Sequence, residues 1–338
     1  TAFITCAFNN GKVFAYKMQN DTDWKAGEEY TYTVSLAAAE DPGYTVSEDG
    51  KTYTVYNANG LLAWNEAVQK DMTLNCTLTA DITLTGEWTP IGTESQPYTG
   101  TFDGGGKYTI TGLKIDQSGT DYVGLIGRLG SGGKVQDVTL TEVNVTGGTY
   151  VGGIAGQNDG TVENCSVNGT VTGRGFNDTG GIVGTNYGTI SGCYSSAAVE
   201  GYSTVGGVVG NLGNNSSLMA SYSTGNVTVT STTGYAGGVV GVNAQGTVTA
   251  CYHATGTVSG QGNVGGIVGM NNSGQNTACY WSSNPANGIG KMDSGTNGTI
   301  KVDGDWQNAV TQMNTALQNA GSEWRYELTG ALPTLKKQ

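Results

Sequence analysis

The stretch GGIVGTNYGTISGCYS, residues 180–195, contains a glycine pair followed by a pair of β-branched aliphatic residues, and a cysteine. One such segment could belong to a dinucleotide-binding turn, and one such cysteine could be a nucleophile. Variants of the stretch, however, begin at residues 150, 205, 236 and 264, and a degenerate copy begins at residue 122. This recurrence indicates a structural repeat. It excludes a dinucleotide site, because no helical pattern or ribose-binding acid follows the copies.

The copies keep a nearly constant spacing along the chain. One reference glycine from each copy is separated from the next by 28, 28, 26, 31 and 28 residues, at Gly124, Gly152, Gly180, Gly206, Gly237 and Gly265. Short apolar segments that alternate with glycine turns at such a period are typical of stacked coils. We therefore predict an all-β fold, a parallel β-helix (solenoid) with turns of about 28 residues.

Two side-chain stacks follow from this register. Asparagine lies six residues after four reference glycines, at Asn158, Asn186, Asn243 and Asn271, and the third copy has Leu212 there, with Asn211 as its shifted substitute. Cysteine shares another position, at Cys165, Cys193, Cys251 and Cys279, where the third copy has Ser221. We expect a hydrogen-bonded asparagine ladder and inward-facing free thiols, because parallel Cβ vectors about 4.8 Å apart do not suit a disulfide.

A tyrosine follows the cysteine position in four copies and should therefore point away from the interior. These candidate ligand-binding residues are Tyr194, Tyr222, Tyr252 and Tyr280. An outward tyrosine ladder could stack against sugar rings or against an apolar partner surface. The alternative is a structural role, in which the rings pack under a neighbouring loop or straighten the sheet.

The ends of the chain differ from the repeats, and we predict boundaries at 1–39, 40–121, 122–285 and 286–338. Residues 1–39 resemble β-segments of a truncated sandwich or a cap, with a hairpin turn at residues 10–11 and a strand near residue 30. Helical stripes predict a short capping helix near each end of the solenoid. The stripes are Leu61, Trp64 and Val68, and then Trp306, Val310, Met313 and Leu317 after a capping Asp303 or Asp305.

Charge limits the possible functions. The net charge of −12 disfavours nucleic acid, and residues 201–290 contain no Asp, Glu, Lys or Arg. Glycoside-cleaving enzymes need paired carboxylates or an equivalent set, so we expect no catalytic residues, no metal site and no cofactor. The lone histidine, His253, is interpreted as a surface polar residue. An enzyme remains the alternative, with a site among Asp81, Glu87 and Asp103. We expect no membrane-spanning segment.

The pattern (V/A)GG(I/V)(V/A)GxN…GT(V/I)…CY resembles the GLUG motif of bacterial surface proteins, and residues 78–92 and 98–115 are similar to the lead-in of those proteins. The segment DWKAGEEYTYTVSL, residues 23–36, resembles the last strands of a fimbrillin-like domain. The resemblance implies a right-handed parallel β-helix, a bacterial cell-surface or secreted location, and adhesion to a host or matrix glycan or protein. It supplies no catalytic residues. We expect a monomer.

Overall fold

The computed structural model describes residues 3–7, 13–17, 25, 27 and 41–338. Strands Phe3–Ala7 and Val13–Lys17 pair in antiparallel fashion, which confirms the N-terminal hairpin. Its turn at residues 10–11 and the strand expected near residue 30 lie outside the described residues. The fimbrillin-like resemblance and the four chain boundaries stay predictions.

The chain from residue 41 forms the predicted parallel β-helix. A typical turn runs through four short strands, Val151–Gly152, Ala155–Asn158, Thr161–Glu163 and Ser166–Gly173, and then enters the next turn at Asp178. Each strand pairs in parallel with its counterparts in the adjacent turns. The pairs stack into four sheets, here called the first to fourth sheets in the order in which a turn passes through them.

The strands of these sheets are short because every turn must change direction at each corner. The first sheet contains Val151–Gly152, Asp178–Gly180, Thr204–Gly206, Tyr235–Gly237 and Asn263–Gly265. The second contains Ile126–Leu129, Ala155–Asn158, Val183–Asn186, Val209–Leu212, Val240–Ala244, Val268–Asn272 and Ile289–Ser294.

The third and fourth sheets extend further toward the N-terminus. The third contains Tyr44–Val46, Thr52–Val55, Asn75–Leu78, Thr101–Asp103, Lys134–Gln136, Thr161–Glu163, Thr189–Ser191, Ser217–Met219, Thr247–Thr249 and Gln275–Thr277. The fourth contains Ile82–Thr83, Thr109–Thr111, Lys114–Gln117, Thr139–Gly147, Ser166–Gly173, Tyr194–Ser195, Ala198–Gly201, Tyr222–Ser223, Val227–Val229, Tyr252–His253, Val258–Gly260, Cys279–Trp281 and Thr299–Lys301.

Residues that occupy the same position in the sequence repeats lie opposite each other in adjacent turns. Gly152 lies opposite Gly180, Gly180 opposite Gly206, and the series continues through Gly237 to Gly265. The core consists of stacked aliphatic side chains, and in the turn that contains residues 180–195, Ile182, Val183 and Ile190 have no solvent exposure. Stacking thus gives each repeat an apolar interior that a single repeat could not bury alone.

The asparagine ladder is confirmed at the corner between the second and third sheets. The four ladder asparagines are fully buried. Asn158 Nδ2 donates to Asn186 Oδ1 at 2.6 Å, and Asn186 Nδ2 donates to Gly188 O at 3.0 Å. Leu212 interrupts the ladder and pairs in register with Asn186. The expectation that Asn211 takes its place is wrong, because Asn211 pairs with Thr185, one position earlier on the strand.

The first and second sheets fold back on each other to form a V-shaped notch. Its apex points inward, since a Cβ on Gly153 would lie 2.7 Å from the Val167 side chain in the fourth sheet. Inside the notch the backbones of the two sheets touch: a Cβ on Gly156 would lie 2.6 Å from Tyr150 O. The repeated glycines therefore permit a close backbone approach that other residues would block.

Both predicted helices are present. Helix α1, Ala58–Val68, begins after Asn57, whose side chain accepts a hydrogen bond from Gly60 N, and it buries the predicted stripe. Trp64 of this stripe lies 5.1 Å from the Phe102 ring, which closes the N-terminal coils. Helix α2, Gln307–Asn319, buries Val310, Met313 and Leu317, and Asp305 Oδ1 accepts from Gln307 N at 2.8 Å.

Helix α2 belongs to a C-terminal arm, residues 302–338, which also contains the antiparallel strands Trp324–Glu327 and Thr334–Lys337. The arm packs against the flank of the solenoid, in one cluster with Ala220, Ala250 and Tyr252. The expectation that α2 caps the open end therefore needs correction, because its apolar stripe covers the side of several turns.

Candidate functional site

The predicted tyrosine ladder exists as a stack on the outside of the fourth sheet. Tyr194, Tyr222, Tyr252 and Tyr280 pair in register. The rings of Tyr194 and Tyr222 lie 5.1 Å apart with an interplanar angle of 7°, and those of Tyr222 and Tyr252 lie 4.5 Å apart at 5°. Alternation along the strand produces this arrangement, because the preceding cysteine points inward.

The C-terminal arm covers half of this ladder. Tyr194 is 39% exposed, whereas Tyr252 is 0% and Tyr280 is 2% exposed. Tyr252 packs 5.0 Å from the Trp306 ring, and its Oη donates to Pro333 O at 2.6 Å. All four rings point away from the interior, as expected, and Tyr252 and Tyr280 follow the structural alternative, because docking of the arm makes them part of a second core. Ligand binding at the ladder stays a prediction.

Polar and ionic contacts hold the arm in place. Tyr326 Oη donates to Ala250 O at 2.8 Å, and Lys337 Nζ lies 2.7 Å from Glu163 Oε1. Gly192 makes room for the arm, because any Cβ there would overlap the Trp324 ring. The arm is therefore fitted to specific residues of the solenoid over several turns.

The uncovered part of the ladder can bind by stacking and hydrogen bonding. Tyr194 is exposed and Tyr222 is half-buried beside it. Burial, with a smaller contribution from Tyr194, raises the pKa of Tyr222 to about 12. The Tyr222 hydroxyl is therefore neutral at pH 7, while its ring is stacked between those of Tyr194 and Tyr252, so Tyr194 offers the exposed ring of the ladder.

Further aromatic side chains are exposed at the corners, and the sequence analysis missed them. Phe176 is 75% exposed, Tyr187 is 52% exposed and Tyr202 is 41% exposed. The rings of Phe176 and Tyr202, from adjacent turns, meet edge to face at 4.9 Å and 78°. They lie in the turns between strands, at positions where an aromatic residue does not recur through the repeats, so periodicity gave no signal for them.

His253 lies inside the solenoid, and its interpretation as a surface residue is wrong. It is 0% exposed, with Nδ1 2.8 Å from Ser223 Oγ and Nε2 3.0 Å from Gly256 O. Burial lowers the pKa of His253 to about 4, so the ring is neutral at pH 7. This serine–histidine pair has no solvent exposure with which to meet a substrate, since Ser223 is only 1% exposed.

The four repeat cysteines are free and buried, as predicted: Cys165, Cys193, Cys251 and Cys279. Cys76 is also free and buried. Cys165 N donates to Cys193 Sγ at 3.4 Å, and Cys193 N donates to Ser221 Oγ at 3.2 Å. Burial raises the pKa of Cys165 and Cys251 well above the ordinary value. Such thiols are poor nucleophiles, and their contacts are those of a structural ladder.

The acidic residues proposed for the enzyme alternative have structural partners. Asp81 Oδ1 accepts from Thr109 N at 2.9 Å, Glu87 pairs with Lys114 at 2.5 Å, and Asp103 Oδ1 accepts from Gly105 N at 2.7 Å. Within residues 41–338, no cluster of three or more His, Cys, Asp or Glu side chains is arranged to hold a metal ion. Among the described residues no helix is long and apolar enough to cross a bilayer.

The comparisons with known proteins support the repeat. Residues 147–172 match the family model described as the GLUG motif. The chain contains a GLUG motif. It is also 36% identical to part of Halomucin from Haloquadratum walsbyi (strain DSM 16790 / HBSQ001), in an alignment that covers 35% of this chain and 2% of that protein. The chain thus spans a small fraction of the length of this relative.

Two solved structures share the fold. A crystal structure from Bacteroides ovatus, described provisionally as an immunoglobulin A1 protease, has a TM-score of 0.65 at 21% identity, covering 86% of this chain and 94% of that one. A second, described as IgA1 Protease, has a TM-score of 0.54 at 17% identity, covering 84% of this chain and 22% of that one. At these identities the likeness shows a common fold, and function must be argued from the site.

Proposed function

We propose that this chain is an extracellular binding module that attaches to a host or matrix glycan or protein and performs no catalysis. The observation that carries the proposal is the set of exposed aromatic side chains on a surface with few charges, above all Tyr194 stacked on Tyr222. Exposed aromatic rings on a rigid scaffold supply contact area with little loss of side-chain entropy. The GLUG motif and the partial likeness to Halomucin support an extracellular location.

An array of glycans and matrix proteins tests this function. We expect the intact chain to bind at least one class of ligand, and Tyr194→Ala with Tyr222→Ala to weaken that binding. Leu62→Ala provides a control, because this exposed side chain lies on α1 and outside the exposed aromatic set. Absence of binding across the array would contradict the proposal, and unchanged binding by the double variant would reduce the tyrosine ladder to a structural element.

A hydrolase is the second candidate, because the two solved structures compared above are described, one of them provisionally, as immunoglobulin A1 proteases. The polysaccharide-cleaving alternative would use the carboxylates near residues 81–103. Incubation with immunoglobulin A1 and with a polysaccharide panel distinguishes these activities. New peptide termini or released reducing ends would favour an enzyme over a binding module.

A further inference from the structure

At the open edge of the notch, side chains of different lengths stack in a line along the first sheet. Asp178, Thr204 and Tyr235 pair in register in successive turns, and Tyr150 directly precedes Val151, the partner of Thr179, so it continues the same line. Asp178 and Thr204 are buried, at 7% and 8% exposure, while the two tyrosines are partly exposed. With turns about 4.8 Å apart, Tyr150 and Tyr235 bound a gap of about 14 Å whose floor consists of shorter side chains.

Asp178 is an unusual group for this floor. No cation forms an ion pair with it in the part of the chain that the structure describes. Thr185 Oγ1 from the facing second sheet donates to Asp178 Oδ2 at 2.5 Å, and the nearby Thr204 and Asn211 side chains favour its charged form. A carboxylate has about four acceptor positions, so this donor leaves others for a ligand. Burying a carboxylate without a counterion is costly, which points to a function.

Tyr150 adds a second independent feature. Its backbone φ is 58°, in the left-handed region that bulky residues rarely occupy, and its ring lies 5.0 Å from that of Tyr122 in the preceding turn. Such a conformation costs about 1–2 kcal/mol and persists where the surroundings or a function require it. Burial and then the nearby Asp178 carboxylate raise the pKa of Tyr150.

The chemistry of this gap suits an uncharged, hydroxyl-rich ring. A tyrosine face accepts the C–H face of a sugar, and a carboxylate, hydroxyls and an amide next to it match sugar hydroxyl groups. A carboxylate with no paired cation repels anionic ligands, which disfavours uronic or sialic acids and phosphates. The spacing between turns is close to the length of one pyranose residue, so a linear chain can follow the notch.

We propose that the notch between Tyr150 and Tyr235, with Asp178 in its floor, binds a neutral oligosaccharide. This inference rests on the proposed function and names the ligand class for a site other than the tyrosine ladder. A sugar ring stacks on Tyr150, and one of its hydroxyl groups donates to the carboxylate of Asp178.

Calorimetric titration of the full chain with neutral oligosaccharides (glucans, mannans and N-acetylchitooligosaccharides) tests the site. We expect binding that Asp178→Asn weakens by about tenfold or more, as loss of a hydrogen bond to a charged group does. Tyr150→Asn should also weaken it by about tenfold, because it removes the ring on which the sugar stacks. Asparagine is chosen at residue 150 because it tolerates the left-handed backbone. The control is Leu62→Ala, an exposed side chain on α1 outside the notch, for which the affinity should match that of the unmodified chain.

Several results would overturn the inference. They are tighter binding of galacturonate or sialyl oligosaccharides than of neutral ones, binding that Asp178→Asn and Tyr150→Asn leave unchanged in folded protein, and Asp178-dependent binding of calcium with no sugar bound. Circular dichroism establishes that each variant is folded. If no neutral sugar binds while array binding persists and depends on Tyr194 and Tyr222, the notch inference fails and the proposed function stands.

Discussion

Substitution of Tyr252 separates a covered tyrosine from an exposed one in the same ladder. Tyr252 has no exposure, contacts rings on both sides and donates a hydrogen bond to Pro333 O, whereas Tyr194 is 39% exposed. Tyr252→Ala should cost about 3–5 kcal/mol, as buried aromatic truncations do. Tyr252→Phe should cost about 1–3 kcal/mol, because it leaves the buried carbonyl unsatisfied. Tyr194→Ala should cost less than about 1 kcal/mol, since surface substitutions have small effects.

Amide hydrogen exchange in α2 is the appropriate assay, because solenoids open locally as well as globally. A loss of about 3 kcal/mol corresponds to roughly a hundredfold faster exchange when exchange follows the opening equilibrium. We therefore expect α2 to exchange far faster in Tyr252→Ala, moderately faster in Tyr252→Phe and at the normal rate in Tyr194→Ala. Equal effects of the two alanine substitutions on α2 would refute the assignment of the arm as the cover of the ladder.

Three other predictions concern the interior. Cys193 should resist alkylation in the folded chain and react after denaturation, since it is 0% exposed; labelling under native conditions, detected by mass spectrometry, would contradict this. The low pKa of His253, about 4 against 6.5, means that the unfolded chain binds its proton more tightly, so stability should fall by about 3 kcal/mol between pH 6.5 and 4. In urea titrations, His253→Gln should reduce this dependence of the unfolding free energy on pH. An unchanged pH dependence would contradict the role assigned to His253. Asn186→Ala should cost about 1–3 kcal/mol by chemical denaturation because it leaves Asn158 Nδ2 without its 2.6 Å acceptor, and a cost near zero would remove the ladder's role.

The repeat register could be predicted because stacking makes each environment recur. The reference glycines, Asn186 and Cys193 occupy positions that recur in every turn. Their spacing therefore gives the number of residues per turn and the register between turns. Helix α1 was predictable for a different reason, since its apolar stripe and the capping Asn57 are local signals.

The pattern allowed a structural role for the tyrosines, but it could not predict which of them are covered. Tyr252 is covered by residues such as Pro333, 81 positions further along the chain. A contact between such distant segments produces no periodic pattern in the sequence. His253 is a different case, because a signal existed. Strand alternation that sends Tyr252 outward sends His253 inward, where it pairs with Ser223 and Trp281.

The notch also could not be predicted from the repeat spacing. Tyrosine occurs two residues before the reference glycine at Tyr122, Tyr150 and Tyr235, which identifies an outward position on the first sheet. Nothing in that spacing says that the second sheet folds back to face it. The contact between Asp178 and Thr185 reveals this geometry.

The most direct test of binding without catalysis follows the ligand rather than the protein. Glycoproteins and polysaccharides are captured on the immobilised chain, eluted after prolonged incubation and examined by mass spectrometry and reducing-end analysis. The account predicts that a captured ligand is recovered with its mass unchanged. Recovery of a cleaved ligand, with cleavage that depends on residues of this chain, would contradict it.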